Sequence, residues 1–287
     1  MNVRGTLMNL RQINLLWEEY KRKYNIDSDV KISAVKYDTD KYVEGCFNLL
    51  ELMEGKYILH LNKNMHLYSD NYAKFILFHE FTHFYDFINC PYEEQDKMFM
   101  WMNAYSEYHA CKVTLARFIE MFTLTEVHLD KIQLPGPYKE ISIRRLLVES
   151  FYRTKICFDQ FFSTFQLNDF ASGFRQLMYL FGYLSLFKND EWMVEQTLAS
   201  LHFEDECFTN LYHGLKNMEF DQVIDNYKEI SEVAMLIYIR SSFRRYYDRD
   251  ILPDDEIGKI TLDNYKDYIE ELDRKKAEQE RLAQAGQ

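Results

Sequence analysis

Residues 79–83 read His79-Glu80-Phe81-Thr82-His83. Two histidines four apart fall one above the other on the same helix face, so both imidazoles can grip a single metal ion. A glutamate between them can take a proton from a water activated by that ion. The chemistry open to such a set is hydrolysis. A catalytic zinc takes three protein ligands and keeps one position for water, so a third ligand must come from elsewhere in the chain.

The best third ligand is Glu107, in Ser106-Glu107-Tyr108-His109-Ala110. Ala110 lies one turn on, on the same face, and is small enough to let two helices approach closely. His109 is the rival; it points away from Glu107 by about half a helical circumference, so the two cannot serve one ion. Asp86, Glu93 and Glu94 are the other acids within range. Asp86, one turn beyond His83, is better suited as the acceptor of a hydrogen bond from a ligand imidazole. Acyl transfer also needs a donor for the developing oxyanion, and Tyr105, Tyr108 and His109 are the candidates nearby in sequence.

The motif needs a helix, and the sequence supplies one. Ser69-Asp70 can cap its start, residues 71–89 contain no Pro or Gly, and Cys90-Pro91 stops it. Apolar residues surround most of this helix, which predicts that it is buried. Burying Glu80 without a metal or another cation nearby would be costly. Upstream, residues 10–24 carry Leu10, Ile13, Leu16, Trp17 and Tyr20 on one side, as an amphipathic helix does. Strands are expected at 30–37, 42–50 and 56–62, with turns at Asp38-Thr39-Asp40 and Glu54-Gly55, forming an antiparallel meander. The edge of the last strand could hold an extended peptide near the metal. Downstream, residues 93–122 read as a second long helix, the one bearing Glu107.

This series of helix, three-stranded antiparallel sheet, HExxH helix and Glu107-x-x-Ala110 helix resembles the minimal zincin domain of glutamate-ligand metallopeptidases. It is most similar to the ImmA/IrrE-type intracellular peptidases of bacteria and mobile elements, some of which cut a repressor. The resemblance covers residues 10–122. It implies one zinc ion per chain held by His79, His83 and Glu107, with Glu80 as general base. Thr82 stands where that family tends to have Gly, and Val113-Thr114 where it tends to have Phe-Ala.

The fold class expected is therefore α+β and mostly helical, a zincin-like part followed by an all-helical region. Only 9 Gly and 4 Pro among 287 residues favour helices over a sandwich or barrel. Leu134-Pro135-Gly136-Pro137 is the natural boundary, giving residues 1–133, a helical domain 134–262 packing on the catalytic part, and a charged tail 263–287 that is helical or disordered. A net charge of −12 argues against nucleic acid and anionic membranes as partners. Arg240, Arg244, Arg245 and Arg249, interleaved with Phe243, Tyr246 and Tyr247, could grip a backbone of phosphates, but read better as a solvated helix face. The apolar run 177–184 is too short to span a membrane and reads as a core helix. Five cysteines without a CxxC pair suit reduced thiols in the cytoplasm, and no signal peptide is evident. The function expected is an intracellular zinc metallopeptidase acting on one or a few protein or peptide substrates. The alternative is an inactive or structural zincin-like protein that binds a protein partner through its helical second half.

Overall fold

The computed structural model describes residues 7–39, 43, 45–90, 95–121, 133–134, 141–201, 203, 206–218, 223–247 and 252–285. Helix α1 (Leu10–Lys23) starts at a reciprocal cap, in which Asn9 Oδ1 accepts from the Gln12 amide at 3.0 Å and Gln12 Oε1 from the Asn9 amide at 2.9 Å. Its Ile13, Trp17 and Tyr20 are fully buried, which accounts for the period of apolar residues along it. On the same helix, Asn14 pairs with both backbone groups of Ile32, and the Trp17 indole donates to the Val30 carbonyl at 2.9 Å. Residues 30–32 are thus tied to α1. The first strand, β1, consequently begins at Ala34 and runs to Thr39 rather than covering 30–37.

Strand β2 (Gly45–Phe47) is short, because residues 49 and 50, read from sequence as its end, already belong to a helical turn, α2 (Leu49–Met53). Strand β3 (Ile58–Asn62) follows. The sheet order is β1-β3-β2, with β3 parallel to β1 and antiparallel to β2. The expected antiparallel meander is therefore corrected to a mixed sheet. Successive strands still alternate in direction, but β3 inserts between the first two. Period-two alternation fixes which face of a strand is buried and is silent about its neighbours. The correction extends to the strand preceding the motif: β3 is paired on both sides and has no free edge to offer a peptide.

Leu59 and Leu61 face the core with no exposure, and Phe47 stacks on Phe84 of the next helix at 4.8 Å. On the opposite face His60 is held between two carboxylates, Nδ1 at 2.8 Å from Asp38 and Nε2 at 2.8 Å from Glu51. Burial works against a charged ring there, but the two carboxylates raise its pKa above the usual histidine range. This clamp ties β1, β3 and α2 together.

Helix α3 (Asp70–Ile88) is capped by the Ser69 hydroxyl and carries the motif. It lies between the sheet, α1 and helix α4 (Gln95–Met121). Trp17 packs on Phe81 and Phe84, and Tyr20 on Phe78 and Phe81. Thr82 fits this wall because its hydroxyl meets the Tyr20 hydroxyl at 2.8 Å and donates to the Phe78 carbonyl at 3.0 Å.

A two-residue ladder of β4 (Gln133–Leu134) and β5 (Ile141–Ser142) precedes α5 (Ile143–Thr164), so the second half is not wholly helical. The residues between the two strands, 135–140, which include most of the expected boundary, lie outside the described residues. Helix α6 (Leu167–Leu184) packs on both α5 and α4, and one continuous apolar core joins α1 to α9 (Val223–Tyr246) through α7 (Asp190–Ser200) and α8 (Glu206–Asn217). The run 177–184 is buried within α6 apart from Tyr179. A second, small core around Phe243, Leu252, Ile257, Ile260 and Leu272 seats α10 (Asp254–Ile257) and α11 (Tyr265–Ala285). Among the described residues no helix is long and apolar enough to cross a membrane.

The arginine cluster divides, with Arg244 and Arg245 exposed on α9 and Arg240 tied into the fold. Arg240 donates to the carbonyls of Gly258 and Ile260 at 2.7 and 3.0 Å and to Cys207 Sγ at 3.2 Å, and the Arg245 guanidinium lies over the Phe165 ring. Arg249 lies outside the described residues.

Helices α6 and α4 approach each other tightly at Gly182 of α6. A Cβ there would collide with the Tyr108 carbonyl oxygen and sit 2.8 Å from Cys111 Cβ, both on α4. Because the obstacle includes backbone, Gly182→Ala is expected to cost about 2–3 kcal/mol. Guanidinium denaturation checks this; an unchanged midpoint would show that α4 and α6 can separate freely.

Candidate metal centre

His79 and His83 stand on consecutive turns of α3, and Glu107 faces them from α4. Among the described residues they form a group that could hold a metal ion. His79 Nε2 and His83 Nε2 are 3.0 Å apart, and Glu107 Oε2 is 3.3 Å from each. Ligand atoms held at about 2.0–2.1 Å around one tetrahedral ion stand about 3.3 Å from each other. The three atoms thus form the triangle that one ion requires. Glu107 Oε2 is buried and accepts no hydrogen bond of good geometry among the described residues, which is costly for a carboxylate unless a cation faces it. Side-chain exposures of 14% for His79 and 24% for His83 against 11% for Glu107 open the group to solvent from the histidine side.

The charges respond to this crowding. Burial opposes ionisation of both His83 and Glu107, but their mutual attraction outweighs it. His83 is raised to about 9, with Glu80 and Asp86 adding to the effect of Glu107. Glu107 is held well below the usual carboxylate range by the His83 and His79 rings. Without an ion, then, a proton occupies part of the position that a cation would fill. Glu80 is 6% exposed, and burial pushes its pKa up, with the histidines pulling the other way. A carboxylate so shifted is closer to the proton affinity that a general base needs near neutral pH.

Gly45 of β2 fixes the space around Glu80. A Cβ at that position would lie 2.8 Å from Glu80 Cγ and 3.2 Å from Oε1. Only glycine lets the strand backbone come this close. The strand beside the acid is therefore β2, an edge strand, and not β3.

Behind the ligands the hydrogen bonds differ from those expected. His83 Nδ1 meets the Ser106 hydroxyl at 2.7 Å, and Ser106 donates to Asp86 Oδ2 at 2.7 Å. Asp86 accepts from His109 Nδ1 on its other oxygen, also at 2.7 Å. The expected direct bond from a ligand imidazole to Asp86 is corrected: a serine hydroxyl is interposed. The same bond turns His109 Nδ1 toward Asp86, and His109 is not part of the His79–His83–Glu107 group. Tyr108 donates to the Leu215 carbonyl at 2.9 Å, and Tyr105 is buried with its ring 5.6 Å from that of His109. Residues 105 and 109 are each about 200° of helical rotation from Glu107, and residue 108 about 100°, which directs all three elsewhere. Glu93 and Glu94 lie outside the described residues.

The tyrosine at the site comes from α6 instead. Tyr179 stacks on the His79 ring, with centroids 6.0 Å apart and planes at 14°, and burial beside the Glu107 carboxylate raises its pKa well above the usual tyrosine value. Nothing local signals Tyr179, since it sits inside an apolar helical run a hundred residues from the motif. Ser106 was adjacent to Glu107 in sequence, and only its position opposite His83 gives it a role.

Two outcomes follow. With His83 protonated below about pH 9 and required neutral as a ligand, zinc binding at pH 7 is expected to release about one proton from it. Affinity should accordingly rise about tenfold per pH unit toward pH 9 and then level off; calorimetry in buffers of different ionisation enthalpy measures both. Ser106→Ala is expected to weaken zinc binding about 10- to 100-fold while leaving the fold intact. An unchanged affinity would mean that His83 is oriented by packing alone.

Compared with protein-family models, curated proteins and solved structures, the chain matches none, so its functional reading rests on this geometry.

Proposed function

We propose that the chain is a zinc-dependent metallopeptidase with a zincin-like catalytic part of the glutamate-ligand type. The observation that carries the reading is the triangle of His79 Nε2, His83 Nε2 and Glu107 Oε2, with edges of 3.0, 3.3 and 3.3 Å, beside the buried Glu80. Two imidazoles and one carboxylate at tetrahedral spacing suit zinc, which is bound by N and O ligands and leaves a fourth position open.

Zinc in this set supplies Lewis acidity to a substrate carbonyl and lowers the pKa of a water. The chain's own residues supply the rest. Glu80, with its raised pKa, accepts the proton of the attacking water and returns it to the leaving amine. Tyr179, stacked on the His79 ring and protonated, offers a donor for a developing oxyanion. Gly45 keeps the β2 backbone against Glu80, where an extended peptide could pair with the strand edge. The acidity of the chain supports a protein or peptide substrate over nucleic acid.

Metal analysis and a mixed peptide library read by mass spectrometry test the proposal. The zinc-loaded chain is expected to bind one equivalent and to cleave peptides. Glu80→Gln should retain the zinc and lose activity about 10²- to 10⁴-fold. Absence of zinc binding, or full activity of Glu80→Gln, would refute the assignment. Zinc binding without cleavage by either protein would favour a structural metal and a partner-binding role.

A further inference from the structure

Helix α5 exposes an apolar stripe that its own fold leaves in solvent. Val148, Tyr152 and Ile156 are 47, 60 and 67% exposed and recur every four residues. Singly exposed apolar residues are ordinary, whereas three on successive turns of one helix form a contiguous face. Its buried side, through Ile143, Leu147, Phe158 and Phe161, is already satisfied against the core.

The charges along the stripe identify what covers it. Arg145 and Asp159 lie seven residues on either side of Tyr152, and Glu149 and Lys155 lie three on either side; Val148 and Ile156 lie four on either side. At about 100° per residue, all six fall within about 60° of the direction of Tyr152. The face is thus its own complement when reversed end to end. An antiparallel second copy centred on Tyr152 brings Arg145 to the level of Asp159, Glu149 to the level of Lys155, and Val148 to the level of Ile156. A parallel copy would instead set each charge beside its like.

We propose that the α5 face is a twofold, antiparallel interface between two copies of this chain. A self-complementary patch is what a twofold contact requires. The Arg145–Glu149 and Lys155–Asp159 pairs within each helix, at 2.7 and 3.0 Å, become the rim of the apolar contact, and each cross-pair occurs twice by symmetry. One helix face is smaller than a standard interface of about 1,600 Å² in total, so the association is weak, with a Kd on the order of 10 µM. The inference is independent of the metal centre, and α5 packs on α6.

Sedimentation velocity of the full chain from 1 to 200 µM (roughly the range bracketing that Kd) tests it, with circular dichroism confirming that each variant is folded. The unaltered chain is expected to pass from monomer to dimer. Tyr152→Glu should leave a monomer throughout. Glu149→Lys and Lys155→Glu, each setting like charges face to face, should weaken the dimer about tenfold or more. The double variant Glu149→Lys/Lys155→Glu should restore it to within about threefold of the original, because the cross-pairs reform with reversed sign. A chain that stays monomeric at every concentration overturns the proposal. So does an assembly indifferent to Tyr152→Glu, or a double variant no tighter than either single one.

Discussion

The structure depends on a carboxylate held out of water. Glu107 is 8% exposed, and removing a carboxylate from water costs several kcal/mol unless positive charge and hydrogen bonds replace the solvent. Among the described residues, the two imidazoles of α3 face its Oε2, at 3.3 Å each. Between them the three side chains have room for one positive charge. Either a proton on His83 supplies it or a metal ion does, and an ion can satisfy all three groups at once. The raised pKa of His83 and the lowered one of Glu107 are two views of the same unmet demand.

Holding that triangle requires α3 and α4 to stay in register. The Ser106–Asp86 bond crosses between them, and Asp86 also draws in His109, so a chain of short hydrogen bonds runs directly behind the ligands. In the low dielectric of this interior, each of these bonds is stronger than it would be in water, and each would be expensive to leave unmade. Ala104, Ala110 and Cys111, all without exposure, keep α4 slim where its neighbours press on it.

From the other side α6 completes the enclosure. Gly182 admits its backbone against α4 within a turn of Glu107, and Tyr179 then stacks on the His79 ring. The second half of the chain therefore shapes the candidate metal centre directly. With β2 at Glu80 and α6 at His79, the approach is bounded by elements more than a hundred residues apart.

What the sequence determined by itself was the part governed by local periodicity. The four-residue histidine spacing, the cap at Ser69, the apolar side of α1, the burial of α3, and the rule that Glu107 and His109 cannot serve one ion all follow from the geometry of single helices. The predominance of helix over a small sheet was legible for the same reason. Tertiary structure decided what periodicity does not encode. The strand order β1-β3-β2 depends on which strand enters the middle, and alternation reads the same in either arrangement. Ser106 takes the place of Asp86 at the His83 ring because α4 lies against α3 and brings its hydroxyl between the two side chains, a juxtaposition that local sequence does not encode. Tyr179 looked like any aromatic of a core helix until α6 was laid across α4, for a residue's partners on another element are set by packing of whole helices and not by its own neighbours in the chain.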